Sequence, residues 1–318
     1  GANEAPPAII SIFLGEQLTD VFEQIERGKV TGSKVSGTLS VGVDTLPPLP
    51  KHAGDRNRTS PFAFTGNKFE FRAVGSSQSI AGPLVALNTI VAESLDFIAT
   101  ELEQATAGDS SRLPAAVEAL LQRLISEHKG VIFNGNGYSQ EWQHEAARRG
   151  LPNLKATPEA LDALIGPATI AMFEKYGVLS EREVRSRYEI YMERYCKDLN
   201  TEAQAALQIA KTMILPAGYR YQGELVDIAT KLKSLGQPPH LGTLEKLTRL
   251  VGELESRIDA LEQTVSHQGG DIRAEVAHFH DHVVPAMLAV RDTADQLETI
   301  LPDDLWPLPT YREMLFIK

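Results

Sequence analysis

The segment from Lys68 to Arg72 alternates charged and apolar residues in the order Lys-Phe-Glu-Phe-Arg. Successive side chains of a β-strand point to opposite faces, so this order predicts a strand with Phe69 and Phe71 in a core. Lys68, Glu70 and Arg72 would then share the other face. A carboxylate between two cations can bind Mg²⁺, and a guanidinium can hold a carboxylate or a phosphate group through two hydrogen bonds. The alternative is an exposed strand face with ordinary cross-strand charge pairs.

Two further sets of charged residues precede this strand. Arg56 and Arg58 stand two residues apart, so in an extended chain both guanidinium groups share a side and could bind a polyphosphate. Glu4 lies in a turn that leads into an apolar run. A hairpin of the two strands that follow Arg58 would hold it near Glu70. Taken singly, these charged residues are more typical of a solvated surface.

Local patterns predict the elements that position these residues. The predicted elements are a buried strand over residues 8–14, a helix over 18–25, a hairpin of 62–65 and 68–72 around Gly66-Asn67, and a helix over 83–104. The last helix has an apolar face of Leu84, Leu87, Ile90, Val91, Leu95 and Ile98. A loop over residues 133–138 contains two Asn-Gly pairs, for which positive φ angles are expected.

From Gly108 onward the pattern predicts helices joined by short loops. Helices are predicted over residues 114–128, from an N-cap at Thr157, and from a capping box at Ser180–Glu183 to about Ile214. A strict heptad seam follows, formed by Leu244, Leu247, Val251, Leu254, Ile258, Leu261 and Val265. A second apolar series runs from Val276 to Leu301. Together they predict an antiparallel helical hairpin over about residues 241–301, kinked at Pro285. The fold class is therefore α+β.

Composition limits the class of protein. The chain has 318 residues, is 42% hydrophobic and 23% charged, and has a net charge of −11, which argues against nucleic acid or an anionic membrane as partner. No apolar run reaches the roughly 18 residues that a membrane span needs. A single cysteine, Cys196, excludes an intrachain disulfide and predicts a cytoplasmic location. Because the chain opens on Gly1 rather than Met, we expect it to be a piece of a longer polypeptide.

Three histidines in the second arm of the hairpin, His278, His280 and His282, are a weak candidate for a metal site. Only His278 and His282 share a helix face, and the one acidic neighbour is Asp281. A solvated or packed helix face is the favoured interpretation, with a metal site as the alternative.

Several of these segments resemble one enzyme family. Asn3-Glu4-Ala5-Pro6, Asn57-Arg58 and Glu70-Phe71-Arg72, in this order, resemble the last motifs of the glutamine synthetase catalytic domain. The segments similar to the type III branch of that family are 173–176, 179–181, 186–189, 214–217 and 306–311. The resemblance covers almost the whole chain. It implies that residues 1–107 are the C-terminal part of an antiparallel-sheet catalytic domain and that residues 108–318 form a helical domain.

The resemblance also implies an activity, in which ATP phosphorylates the γ-carboxylate of glutamate and ammonia then displaces phosphate to give glutamine. The cofactor would be Mg²⁺ or Mn²⁺, with Glu70 as a ligand. Glu4 would lie on a flap and take a proton from ammonium, and Arg58 would contact the transferring phosphate. Arg72, Lys68 and Asn3 would contact the substrate. Arg56, together with Arg58, would contact the nucleotide. The family further implies stacked hexameric rings.

Two departures from the family pattern qualify this expectation. Many members have another arginine at the position of Ala63, and Lys68 stands where an arginine is common. The family's other metal-binding carboxylates would precede Gly1, so we expect the chain alone to be inactive. The alternatives are a non-catalytic helical module for oligomerisation or regulation, and a related ligase that joins glutamate to another amine. Convergence of Glu4, Arg58, Glu70 and Arg72 on one cavity would favour the ligase.

Overall fold

The computed structural model describes residues 9–29, 32, 38–39, 49–50, 59–72, 78–266, 270–309 and 311–315. Two compact units are present, one of Asn3–Arg185 and one of Ser186–Lys318. These units follow the packing of the chain and do not test the predicted boundary between residues 107 and 108, which stays a prediction.

The first unit combines short strands with helices. Its described strands are β1 (Ile12–Phe13), β2 (Thr38–Leu39), β3 (Leu49–Pro50), β4 (Phe62–Phe64) and β5 (Phe69–Phe71). Its described helices are α1 (Gly15–Glu26), α2 (Ala81–Thr106), α3 (Leu113–His128), α4 (Gln140–Arg148), α5 (Thr157–Leu161), α6 (Pro167–Lys175) and the first turn of α7 (Glu181–Ile209).

The larger sheet has the order β1-β4-β5 and is mixed rather than antiparallel throughout. Strand β1 runs parallel to β4, and β4 runs antiparallel to β5, while β2 and β3 form a separate antiparallel pair. The strand predicted over residues 8–14 is shorter than expected, because only Ile12 and Phe13 pair with a neighbour, and Ile10 is exposed.

The predicted hairpin is present, but its aromatic face is not a filled core. Gly66 adopts φ +103° in the turn, and the rings of Phe64 and Phe69 lie 5.3 Å apart across the two strands. Phe69 is nevertheless 55% exposed, so its predicted burial is wrong. The reason is that its ring borders an apolar cavity of about 560 Å³ between the sheet and helices α2 and α3.

Helix α2 contacts its own unit partly through polar groups. Lys175 Nζ lies 2.8 Å from carboxylate oxygens of both Glu93 and Asp96, and the Tyr176 hydroxyl donates to both at 2.6 and 2.9 Å. Hydrogen bonding to Lys175 lowers the pKa of both carboxyls. On the same side Ala86 packs against a small buried cluster that includes Phe173.

By length and hydropathy alone, α2 could cross a membrane, contrary to the expectation from apolar run length. Mostly buried core helices of soluble proteins satisfy the same criterion, but α2 is mostly exposed. A charged side chain at the centre of a membrane helix costs about 2.5–3.5 kcal/mol. Glu93 and Asp96 occupy such positions and are engaged by Lys175, so α2 is better described as a helix of the first unit.

The loop over residues 133–138 fastens β1, α1 and β4 together. Asn134 Oδ1 accepts hydrogen bonds from the backbone N–H groups of Leu14 and Gly15, both at 3.0 Å, and so caps the start of α1. The predicted positive φ angles at Gly135 and Gly137 are wrong, because neither is in that region. Glycine is needed for space instead. A Cβ at Gly137 would lie 2.5 Å from the backbone oxygen of Thr59.

We expect Gly137→Ala to lower the free energy of unfolding of the first unit by about 1–3 kcal/mol, because overpacking forces the backbone apart. Gly137 N–H donates to Thr59 O at 2.9 Å, and this bond would be strained. Urea unfolding followed by the fluorescence of buried Trp142 measures the change. The matched control is Gly130→Ala, where a Cβ meets no atom within 4 Å. Equal stability of the two variants would contradict the steric explanation.

Two helix starts were predicted by capping residues, and one of them is confirmed. At the start of α7, Ser180 Oγ accepts from Glu183 N–H at 3.4 Å, and Glu183 Oε2 accepts from Ser180 N–H at 2.8 Å, which is the predicted capping box. The predicted N-cap at Thr157 is wrong. Ala156 holds that position without a side-chain bond, and the helix is only five residues long.

The second unit is helical in its described part. It contains the remainder of α7, a π turn (Ala210–Ile214), α8 (Leu215–Ser234), α9 (Gly242–Val265), α10 (Ile272–His278), a second π turn (Phe279–Val283), α11 (Val284–Glu298) and α12 (Tyr311–Leu315). Each π turn ends two residues before a proline, Pro216 or Pro285. Proline lacks an N–H and clashes with the carbonyl four residues earlier, which lies inside the widened turn. The helix predicted to end near Ile214 therefore continues to Ser234.

Helix α9 packs against α8 and α11. The predicted apolar seam is buried at Leu247, Val251, Leu254, Ile258 and Leu261, and its two outermost members, Leu244 and Val265, are half-buried. Leu250, which does not belong to the predicted seam, is buried as well. The second apolar series is likewise buried at Val276, Phe279, Val283, Val290, Ala294, Leu297 and Leu301. His278 Nε2 of α10 lies 2.9 Å from Thr264 O of α9. Arg257 Nη1 of α9 donates to Ala289 O of α11 at 3.3 Å. Positions later in α9 therefore pair with positions earlier in the α10–α11 segment, so the two run antiparallel.

Candidate functional site

The structure brings Lys68, Glu70 and Arg72 together on one strand face. Arg72 Nη2 donates to Glu70 Oε2 at 3.2 Å, and Lys68 Nζ lies 3.5 Å from Glu70 Oε1. The Arg72 side chain is 17% exposed and that of Glu70 38% exposed. Both carboxylate oxygens of Glu70 therefore face cations at the edge of the sheet.

These contacts keep Glu70 charged. The hydrogen bond from Arg72 lowers the pKa of the Glu70 carboxyl below its ordinary value, and Lys68 adds a smaller effect in the same direction. At neutral pH the side chain is an anion held between two positive groups. Such an anion can donate oxygen ligands to a hard divalent cation, while Arg72 remains a donor for an anionic ligand.

The topology restricts where the other predicted residues can lie. The parallel strands β1 and β4 begin at the same end of the sheet, and the antiparallel strand β5 ends there. At this end Arg72 N–H donates to Pro61 O at 2.8 Å. Arg58 directly precedes Thr59, the first described residue before β4. Glu4 precedes Ile9 by five residues, so its Cα lies at most about 18 Å from that of Ile9.

The remaining predicted site residues, Asn3, Glu4, Arg56 and Arg58, lie outside the described residues. Their roles stay predictions.

Two buried serines lie at the end of the sheet where β1 and β4 begin, and the sequence analysis missed them. Ser11 precedes β1 and Ser60 precedes β4, and each hydroxyl is buried without a hydrogen-bond partner among the described residues. Serine next to a strand is a common turn signal, so its position in the chain did not single out either residue.

Ala63 is the position at which an arginine was expected from the family pattern. Ala63 is fully buried in β4, directly opposite Glu70 in the strand register and next to Phe13 of β1. An arginine at this position would point to the same face as Glu70. Here a methyl group fills that place, so the cations that the described part of this strand face carries are Lys68 and Arg72.

The described residues offer few ligands for a metal ion. Glu70 offers one carboxylate, and no group of three or more His, Cys, Asp or Glu residues in the described ranges could hold an ion. Glu70 therefore fits a divalent ion as a single ligand among others. His278 bonds to the carbonyl of Thr264, and His280 Nδ1 lies 2.7 Å from Asp281.

Comparison with known proteins assigns the family. Residues 116–233, from α3 to α8, match the glutamine synthetase C-terminal domain. Along its whole length the chain is 40% identical to the type-3 glutamine synthetase of Dictyostelium discoideum. The chain belongs to the glutamine synthetase family. It is also 34% identical to a glutamine synthetase of Bacteroides fragilis (strain YCH46) over its whole length, and 35% identical to one of Butyrivibrio fibrisolvens over 99% of it.

The chain spans less than half the length of these glutamine synthetases. It covers 44% of the Dictyostelium protein and 45% of each bacterial protein. The matched domain is helical and includes neither the sheet with Glu70 nor the helices α9 to α11. The identity to the three relatives extends over both of these parts.

Proposed function

We propose that this chain is the C-terminal portion of a glutamine synthetase, which converts glutamate, ammonia and ATP to glutamine, ADP and phosphate through glutamyl phosphate. The observation that carries the proposal is identity to named glutamine synthetases along the whole chain, 40% in the case of the Dictyostelium protein. The charged face of β5 supports it, because an ionised carboxylate and a guanidinium are the groups that this chemistry requires.

Each predicted residue has a definite task in this proposal. Glu70 binds a divalent ion, and Arg72 binds the substrate carboxylate or the transferring phosphoryl group, assisted by the point charge of Lys68. Arg58 stabilises the charge that develops on the phosphate, as positive groups do in phosphoryl transfer. Glu4, on a loop that closes over the site, takes a proton from ammonium. Asn3 contacts substrate and Arg56 the nucleotide.

The proposed cofactor is Mg²⁺ or Mn²⁺, which Glu70 would help to hold and which would offset the charge of the nucleotide phosphates. Glu70 alone cannot hold two or three such ions. The remaining ligands would come from polypeptide upstream of Gly1, so this chain by itself should be inactive. We further propose the domain division at residue 108, a long antiparallel hairpin over about residues 241–301, a cytoplasmic location and an assembly of stacked hexameric rings.

The decisive experiment measures glutamine and γ-glutamyl hydroxamate formation by this chain alone and joined to the upstream half of a synthetase. We expect activity only in the joined form, with dependence on ATP, glutamate and Mg²⁺ or Mn²⁺. Joined protein that folds but makes no product would refute the proposal. Replacing ammonia with other amines in the same assay tests the related-ligase alternative.

A second candidate is a helical module for oligomer contacts or regulation. The observation that favours it is the continuous buried seam of α9 with its partners α8 and α11, which gives the second unit a core of its own. An inactive joined protein that still forms a ring by analytical ultracentrifugation would support this candidate over the ligase.

A further inference from the structure

Helix α2 directs its polar side into its own unit and an apolar stripe outward. The inward side carries Thr89, which is buried, and Glu93, which binds Lys175 and Tyr176. The apolar stripe consists of Leu84, Val91 and Leu95, which share one face because they are seven and four residues apart. All three are exposed, Leu95 to 61%. This is the reverse of the usual arrangement of a surface helix.

An exposed apolar stripe of this kind marks a surface for contact with another polypeptide segment, a partner protein or a membrane. We propose that the apolar stripe of α2 is the docking surface for the catalytic-domain polypeptide that the related synthetases carry outside the matched region. This inference rests on the proposed function. The three relatives are more than twice as long as the part that matches, so polypeptide enough to cover α2 belongs to the same kind of protein.

The apolar stripe continues toward the sheet that holds the candidate site. Ile98, one turn beyond Leu95, lines the 560 Å³ cavity together with Phe97 and Phe69. Phe69 directly precedes Glu70 on β5 and is itself largely exposed. A body that covers the stripe and fills this cavity would therefore contact the strand that carries Glu70 and Arg72. The missing part of a catalytic domain meets this requirement, because its residues must reach Glu70 to complete the metal site.

A lipid surface fits these observations less well. A membrane-spanning helix needs an apolar surface on all sides or a polar side turned to a protein cavity. The polar side of α2 is engaged by Lys175 and Tyr176 in a compact unit, so the apolar surface does not surround the helix. A second copy of the chain is the other possible covering, and the experiment below separates the three.

The experiment is thiol labelling at position 95. Leu95→Cys introduces one accessible thiol, because the single native cysteine, Cys196, is buried and burial raises the pKa of its thiol to about 11. The matched control is Leu235→Cys, at a leucine that is 75% exposed. Maleimide labelling rates at the two positions, read by peptide mass spectrometry, are compared in two forms. One is the isolated chain at low concentration, and the other is the chain joined to the remaining polypeptide of the Dictyostelium synthetase.

We expect position 95 to label at least about tenfold more slowly in the joined form, because a covered site reacts only when it opens, whereas position 235 keeps its rate. Equal rates at position 95 in both forms would overturn the proposal. Protection of position 95 in the isolated chain that grows with protein concentration would indicate a second copy and would also overturn the proposal. Protection only when phosphatidylcholine–phosphatidylglycerol vesicles are present would overturn it as well.

The same joined protein separates this inference from the proposed function. Protection at position 95 without glutamine formation would refute the synthetase activity and leave the docking surface standing. Glutamine formation with position 95 freely reactive would refute the docking surface alone.

Discussion

Glu70→Ala, placed in a synthetase that contains the whole catalytic domain, should lower metal-dependent glutamine formation at least about a hundredfold. Changes in residues that merely support metal ligands already cost about 10–100-fold in metal affinity or activity, and Glu70 is proposed to bind the ion itself. The Arg72 and Lys68 contacts keep the Glu70 carboxyl ionised, so the variant removes a full negative charge from the site. The loss should be accompanied by a higher Mg²⁺ or Mn²⁺ concentration at half-maximal rate.

Two controls separate metal binding from folding in this experiment. Glu70→Gln keeps the size of the side chain and an oxygen that can accept a hydrogen bond from Arg72. It should therefore fold like the parent protein but show the same altered response to Mg²⁺ or Mn²⁺ as Glu70→Ala. Glu141→Ala removes an exposed carboxylate from α4 in the same unit and should leave the metal dependence unchanged. A Glu70→Ala protein with the Mg²⁺ or Mn²⁺ dependence of the parent would show that Glu70 is not a ligand.

Leu254→Ala should destabilise the helices of the second unit by about 2–5 kcal/mol, the usual cost of a leucine-to-alanine change in a core. Leu254 is fully buried on α9, which packs against both α8 and α11, so the cavity left behind has walls on two helices. Because the chain has two compact units, a single unfolding curve is not sufficient. Hydrogen exchange of the α9 and α11 amides during urea unfolding measures the change locally.

Leu235→Ala is the matched control for the seam, since it makes the same substitution at an exposed leucine that follows α8. It should change the exchange of α9 and α11 very little. A Leu254→Ala variant that is no less stable than Leu235→Ala would mean that the apolar seam does not hold these helices together.

The patterns that depend on neighbouring residues were readable from the sequence. The heptad spacing of α9 identified buried residues such as Leu254, the Ser180–Glu183 pair identified the start of α7, and Gly66-Asn67 identified the turn between β4 and β5. In each case the periodicity or the hydrogen bond lies within a few residues of chain. Helix and strand geometry then dictates which side chains share a face.

Features that depend on residues far apart in the chain could not be predicted in this way. The sequence predicted an apolar face on α2 but not that the opposite face, with Glu93, would contact the rest of the unit. It suggested φ angles as the reason for Gly137, whereas the backbone of Thr59 is the reason. The parallel pairing of β1 with β4 joins segments about fifty residues apart, and Asn134 caps a helix that begins at Gly15.

The sequence by itself determined the family, the charged face of Lys68, Glu70 and Arg72, and the helical seam. Only the tertiary structure decided that Arg72, at one end of this charged face, lies at the end of the sheet where β1 and β4 begin. The physical reason is that periodicity fixes which residues lie on one side of an element. Which side is covered, and by what, is fixed by packing against segments that are distant in the chain.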